Sequence, residues 1–178
     1  MNTDILLAIA SISAVIISII SMIFTVILGR QQHQDNKKNS RPICAIKFND
    51  YENDISVKIA NVGTGPLIVK EIVCDDSVRK SAVLLALMPH IEQYWSTYTE
   101  DITGWTIPVG GELILIGVNP ENDDIKYQVR SALEPITITV KYTDIYGSSD
   151  FTESRNLDFF GRTLEGLKRH TKVTLKKV

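Results

Sequence analysis

Ile136-Thr137-Ile138-Thr139-Val140-Lys141-Tyr142-Thr143 alternates apolar and polar side chains without interruption. Neighbouring side chains of a strand point to opposite faces, so this stretch predicts a β-strand with one face on a core and the other in water. Working outward, Tyr146-Gly147-Ser148-Ser149-Asp150 supplies a turn, and Phe151 to Phe160 supplies a returning arm. A last short arm is read at Thr171 to Leu175. Upstream, Ile43 to Phe48 and Ile55 to Ile59 form a predicted hairpin around the polar loop Asn49 to Asp54. Leu67 to Cys74 comes after a turn-rich stretch, and Gly111-Glu112 leads into Leu113 to Val118.

Two helical patches interrupt these strands. Between Ser81 and Ile102, residues Leu84, Leu87, Met88, Ile91, Trp95, Tyr98 and Ile102 keep helix spacing. Pro89 is tolerated only in a first turn, so the regular helix is expected to begin there. From Asn122 to Leu133, Asn122 or Asp123 is placed to cap a helix start that acidic residues favour. Six or seven short strands with Gly and Pro turns predict a mainly β body: an antiparallel β-sandwich with one or two short inserted helices.

The turn-bearing stretches Asn61-Val62-Gly63-Thr64-Gly65-Pro66-Leu67, Ile107-Pro108-Val109-Gly110-Gly111-Glu112 and Tyr142-Thr143-Asp144-Ile145-Tyr146-Gly147 carry a resemblance. In them the chain resembles bacterial single-span membrane proteins with an immunoglobulin-like cytoplasmic domain. The resemblance implies a fold and a place at the inner membrane; it implies no activity.

The N-terminal part has a different character. The chain has 178 residues, 44% hydrophobic and 22% charged, with a net charge of −2. None of its charges lies in the 25-residue run Ile5 to Gly29. At about 1.5 Å per residue such a helix exceeds a hydrocarbon core of about 30 Å. The start Met-Asn-Thr-Asp is acidic and the run ends in Ile27-Leu28-Gly29-Arg30, which fits a retained transmembrane helix better than a cleaved signal peptide. No Lys or Arg precedes the run, whereas Arg30, Lys37, Lys38 and Arg41 come after it. The positive-inside rule then puts the N-terminus outside and the body in the cytoplasm. Cys44 and Cys74 stay reduced there, and two cysteines build no disulfide framework. The expected organisation is a transmembrane anchor (1–29), a juxtamembrane linker or helical extension (30–41), a β-domain (42–161) and a basic tail (162–178).

Ser11, Ala14, Ser18, Ser21 and Thr25 are spaced alternately by three and four, which puts small residues on one helix stripe. Such a stripe lets membrane helices approach closely, and it predicts self-association or pairing with another membrane protein. The alternative is a lone anchor whose hydroxyls bond back to the preceding turn. Charge is also segregated. Residues 42–161 hold 9 basic and 18 acidic side chains, or −9, whereas 162–178 hold 6 and 1, or +5. An acidic body repels nucleic acid, so no nucleic-acid partner is expected. In the tail, Lys168, Arg169, Lys172, Lys176 and Lys177 are the candidates for contact with the lipid bilayer, with a solvated terminal face as the alternative.

The sequence carries no recognisable catalytic pattern. His33, His90 and His170 show no metal-ligand spacing, there is no Gly-x-Ser-x-Gly elbow, and neither cysteine has a nucleophile signature. Gly63-Thr64-Gly65-Pro66 lacks the Lys-Ser/Thr of a phosphate loop and reads as a turn. Asp50, Glu52 and Asp54 offer oxygens without the glycine of a calcium loop, so they read as a solvated hairpin tip. No enzyme, metal or cofactor is therefore expected. The remaining cluster is Tyr94, Trp95, Tyr98 and Trp105. It is expected to pack over the core, with a small-molecule pocket or a membrane-interface contact as the functional alternatives. The leading function is a membrane-anchored, non-enzymatic binding or assembly module. The alternative is an oligomeric, pore-forming or membrane-disrupting effector of the bacterial defence type, gated by a ligand sensed in the β-domain.

Overall fold

The computed structural model describes residues 3–147 and 149–162. The chain divides into two compact units, Met1–Asn39 and Ser40–Val178. The first is a single helix, α1 (Thr3–Asn39), which is long and apolar enough to cross a membrane. It runs ten residues past Gly29, because Arg30, the glutamines and the lysines beyond it are all good helix formers. Residues 30–39 thus continue the helix. On the small-residue stripe, the hydroxyls of Ser11, Ser18 and Thr25 donate to the carbonyls of Leu7, Ala14 and Ser21 at 2.6–2.8 Å. Those hydroxyls are satisfied within their own helix and need no neighbour to bond.

The second unit is mainly β. Its strands are β1 (Cys44–Tyr51), β2 (Asp54–Asn61), β3 (Leu67–Asp75), β4 (Lys80–Ser81), β5 (Thr97–Tyr98), β6 (Thr106–Ile107), β7 (Glu112–Val118), β8 (Thr137–Thr143) and β9 (Asp150–Asn156). One antiparallel sheet has the order β1-β2-β7-β5; the other has β4-β3-β8-β9, with β6 also on β3. Both sheets feed one hydrophobic cluster. Val57 and Ile59 enter it from β2, Leu67 and Val69 from β3, and Ile138 and Val140 from β8. The inward set on β3 shifts from Leu67 and Val69 to Ile72 and Cys74, since the register slips between Val69 and Glu71. A bulge there exposes Lys70 and Glu71 in succession and returns the strand to the core in the other phase. β9 closes beside β1, where Arg155 donates to the Ile46 carbonyl at 2.6 Å and lies over the Phe48 ring.

The hairpin is tighter than its sequence implies. β1 and β2 pair as far as Tyr51–Asp54, so Asn49 to Tyr51 are strand and only Glu52-Asn53 turns. The helix α2 (Asp123–Leu133) is capped as expected, with the Asn122 side chain accepting from the Ile125 N–H at 2.8 Å. Its Arg130 lies under the hairpin. The guanidinium reaches Asp50 through Nε at 2.9 Å and through its terminal nitrogen at 2.6 Å. The two side chains are only 10% and 4% exposed. This corrects the reading of Asp50 as part of the solvated tip: it is half of a buried ion pair that ties hairpin to helix, whereas Tyr51 to Asn53 are exposed.

The Asn61–Pro66 stretch is a turn organised around a buried side chain. Asn61 donates to the carbonyls of Gly65 and Ile107 and accepts from the Gly63 N–H. The chain entering the body passes over this turn, with Val62 and Thr64 donating to the carbonyls of Ile43 and Arg41. The approach is so close that a Cβ on Gly65 would run into the Ser40 carbonyl, and one on Gly63 into Arg41 and Ile43.

The expected helix from Pro89 does not form. A 3₁₀ turn, Leu84–Leu87, ends at Met88, which is extended because a proline comes next. Beyond it the chain takes its partners from elsewhere. Ser96 and Thr99 donate to the backbone of β7, and β5 pairs with β7 through Thr97 and Tyr98.

Candidate functional site

Because residues 88–96 are neither helix nor strand, their side chains are not aligned on one stripe. They wrap a groove of about 620 Å³ lined by Leu85, the run Met88 to Trp95, and Tyr98. Two contacts hold the wall. The Gln93 amide donates to the Asn119 carbonyl at 2.5 Å, and its oxygen accepts from the Glu121 N–H at 3.1 Å. Leu85, Met88 and Trp95 are partly buried and pack against the core, forming the inner surface. Tyr94 is 96% exposed and Tyr98 52%, so two rings stand out at the mouth. An open, aromatic-lined hollow of this volume is the ordinary size for a ligand or peptide segment.

The four aromatic residues singled out in the sequence therefore separate. Tyr94, Trp95 and Tyr98 come together in the groove. Trp105 does not line it; half-exposed, it stands next to β6 on the other sheet, where its carbonyl accepts from the Val69 N–H. The expectation of core packing describes Trp95 alone. The helical stripe on which it rested is absent, so Tyr94 and Tyr98 are free to face solvent.

The groove wall carries one carboxylate, Glu92, and belongs to a longer stretch without cations. The 45 residues from Ser81 to Ile125 contain Glu92, Glu100, Asp101, Glu112, Glu121, Asp123 and Asp124 and no Lys or Arg. Glu112 meets Lys47 and Lys58 from the neighbouring strands, and the Lys47 ammonium holds its carboxyl below the usual range. Asp123 meets Lys126. Among the described residues no Lys or Arg pairs with Glu92 in the groove wall or with Glu121 beside it. Sequence inspection missed this. The signal was present as a long absence of cations, but it became meaningful only once the segment was seen to wrap a hollow.

Other candidates have simpler surroundings. Asp75 and Asp76 cap a turn, accepting from the backbone N–H groups of Ser77, Val78 and Arg79. Hydrogen bonds, chiefly from Lys80 to the first and from the Arg79 N–H to the second, hold both carboxyls below the usual range. Cys44 and Cys74 are buried, and burial pushes both thiols up to about 12. Among the described residues, no three His, Cys, Asp or Glu side chains gather to hold a metal ion. The tail residues Lys168, Arg169, Lys172, Lys176 and Lys177, and the arm at Thr171 to Leu175, lie outside the described residues.

Fold and groove thus define a chain with an apolar N-terminal helix and an antiparallel β body bearing an aromatic hollow with Glu92 in its wall. It belongs to the family described as a domain of unknown function, DUF8453, whose model matches residues 6–161. That span takes in most of α1 together with the β elements. No curated protein and no solved structure matches the chain.

Proposed function

We propose that this protein is a single-span membrane protein whose β body binds a partner through the groove at residues 85–98 and carries out no chemistry of its own. The body is read as an immunoglobulin-like sandwich, its two antiparallel sheets sharing one core. The uncharged run Ile5 to Gly29 anchors it in the inner membrane, and Arg30, Lys37, Lys38 and Arg41 favour the cytoplasmic side for the β body. The observation that carries the binding role is the groove mouth. Two tyrosine rings are held in water above a half-buried tryptophan, although nothing in the core requires them there.

The test is in two parts. Alkaline carbonate extraction should leave the full-length chain in the membrane pellet; recovery in the aqueous fraction would end the membrane reading. Cross-linking in intact cells, followed by gentle solubilisation, should then capture a partner with the wild-type chain and lose it with Tyr94→Ala/Tyr98→Ala. Equal capture by both chains would exclude the groove as the binding surface.

A further inference from the structure

We propose that the end of the β body at which the chain enters is a membrane-contact face, whose loops sit in the headgroup region of the bilayer that holds α1. The proposal rests on the membrane reading of α1 and adds where the body meets lipid.

Topology gathers this face. The register pairs Cys44 with Asn61, Glu112 with Ala60, and Thr143 with both Ile68 and Asp150. Strands β1, β3, β7 and β9 therefore start at one end of the body, and β2 and β8 finish there. The Asn61 side chain, donating from β2 to the Ile107 carbonyl on β6, joins the two sheets at that end. Its surface consists of the connections 62–66, 108–111 and 144–149 beside the entering residues 40–43. On them Ile43, Val62, Val109, Ile145 and Tyr146 are about half-exposed, and half-exposed Trp105 flanks them just before β6.

The two ends of the body differ in charge. Residues 62–66, 108–111 and 145–149 contain no charged side chain. Asp144, the one carboxylate in these connections, is buried and accepts from the Tyr146 N–H at 2.9 Å. At the opposite end each connection carries an acid: Glu52 between β1 and β2, Asp76 between β3 and β4, Glu121 before α2 and Glu134 after it. That end also exposes Tyr51 and Val78, but next to these carboxylates. An anionic leaflet repels the acidic end, whereas the uncharged loops enter an interface without burying charge. Tyrosine and tryptophan rings, apolar with one polar tip, are the side chains such an interface favours.

Tethering selects lipid as the occupant. The uncharged run stops at Gly29, α1 ends at Asn39 and the body begins at Ser40. Those ten residues add only about 15 Å as helix. The Ser40 carbonyl in turn lies against Gly65, inside the 62–66 loop. The uncharged loops are thus the part of the body joined most directly to the anchor, and a tether this short presents them to the bilayer at high effective concentration.

The full-length chain in nanodiscs of phosphatidylcholine and phosphatidylglycerol tests this. Val109→Cys, Ile145→Cys, Val78→Cys and Ile27→Cys are labelled singly with bimane, since Cys44 and Cys74 are buried. Lipids carrying a spin label near the headgroup should quench emission at 109, 145 and 27 and leave the label at 78, on the acidic end, unquenched. Val62→Glu/Tyr146→Glu puts two carboxylates against an anionic leaflet and should shift docking about tenfold, with a matching loss of quenching at 109. Urea unfolding of each labelled chain checks that it is folded. Quenching at 27 without quenching at 109 and 145 overturns the proposal and leaves the membrane reading standing; quenching at none of the positions ends both. Emission at 109 and 145 that shifts to the blue without being quenched also overturns it, because protein and not lipid then covers the loops.

Discussion

The hairpin–α2 corner and the stretch from Ser81 to Ile125 handle charge in opposite ways. At the corner, Asp50 and Arg130 are taken out of water and each satisfies the other. Along the stretch, Glu92 and Glu121 stay in water without an ion-pair partner among the described residues, and Glu92 shares the groove wall with exposed aromatic rings. Buried, mutually neutralised charge is fully used by the fold and has nothing left to offer a partner. Exposed charge of one sign beside an apolar hollow contributes little to folding and remains available for recognition.

That contrast can be broken at several points. The largest effect is expected from Arg130→Met, which leaves the Asp50 carboxylate buried without a counter-charge and should lower stability by about 3–5 kcal/mol. Urea unfolding followed by tryptophan emission would measure it. Asp50→Leu/Arg130→Met should recover most of the loss, because the cost lies in the orphaned charge; a double variant as unstable as the single one would refute that account. Next comes Gly65→Ala, whose Cβ meets the Ser40 carbonyl and should cost about 1–3 kcal/mol as the entering chain is pushed off the turn.

In the groove the same assay should separate wall from rim. Trp95→Ala removes a ring that is only partly buried and should cost about 1–2 kcal/mol, below the value for a full core position. Tyr94→Ala should stay within about 0.5 kcal/mol of wild type, since the ring is almost wholly in solvent. If Tyr94→Ala destabilised as much as Trp95→Ala, the distinction between folding wall and binding rim would fail.

The smallest effect at neutral pH concerns the thiols. With both pushed from 9.0 to about 12, Cys44 and Cys74 are protonated in the folded chain at pH 8, and their thiolate fraction falls about a thousandfold. Iodoacetamide should label them only after unfolding. Their raised pKa also sets the sign of the pH dependence. The stabilisation is complete below pH 9, where unfolded thiols are neutral too, and is lost as pH rises from 9 towards 12. The turn acids work on the other side. The lowered carboxyls of Asp75 and Asp76 favour the fold at neutral pH, and that contribution disappears as pH falls below the normal carboxylate range through their folded values.

The long strands were legible because their information is local. β8 obeys its alternation up to Tyr142 and departs from it at Thr143, which is buried, and α2 begins at the cap that Asn122 provides. The two-residue strands β4, β5 and β6 were not legible, since each is defined by its neighbour and not by any period of its own. The stretch after Pro89 misled for a physical reason. Its apolar spacing suits a helix, but the proline forces Met88 to be extended, and β7 offers the backbone partners a helix would have supplied. Asp50 and Arg130 stand 80 positions apart, so neither residue type nor spacing could join them. Of the candidate site, the aromatic residues were visible by type. Their division into wall and rim required the path of the chain.

Arg155 has a consequence for coexistence with other copies. β1 is the outer strand of its sheet, and an outer strand with unengaged carbonyls is a template for fibre growth. By occupying the Ile46 carbonyl and lying over the Phe48 ring, the guanidinium acts as a stopper on that border. Molecules crowded on a common surface can then meet one another without zipping their sheets together.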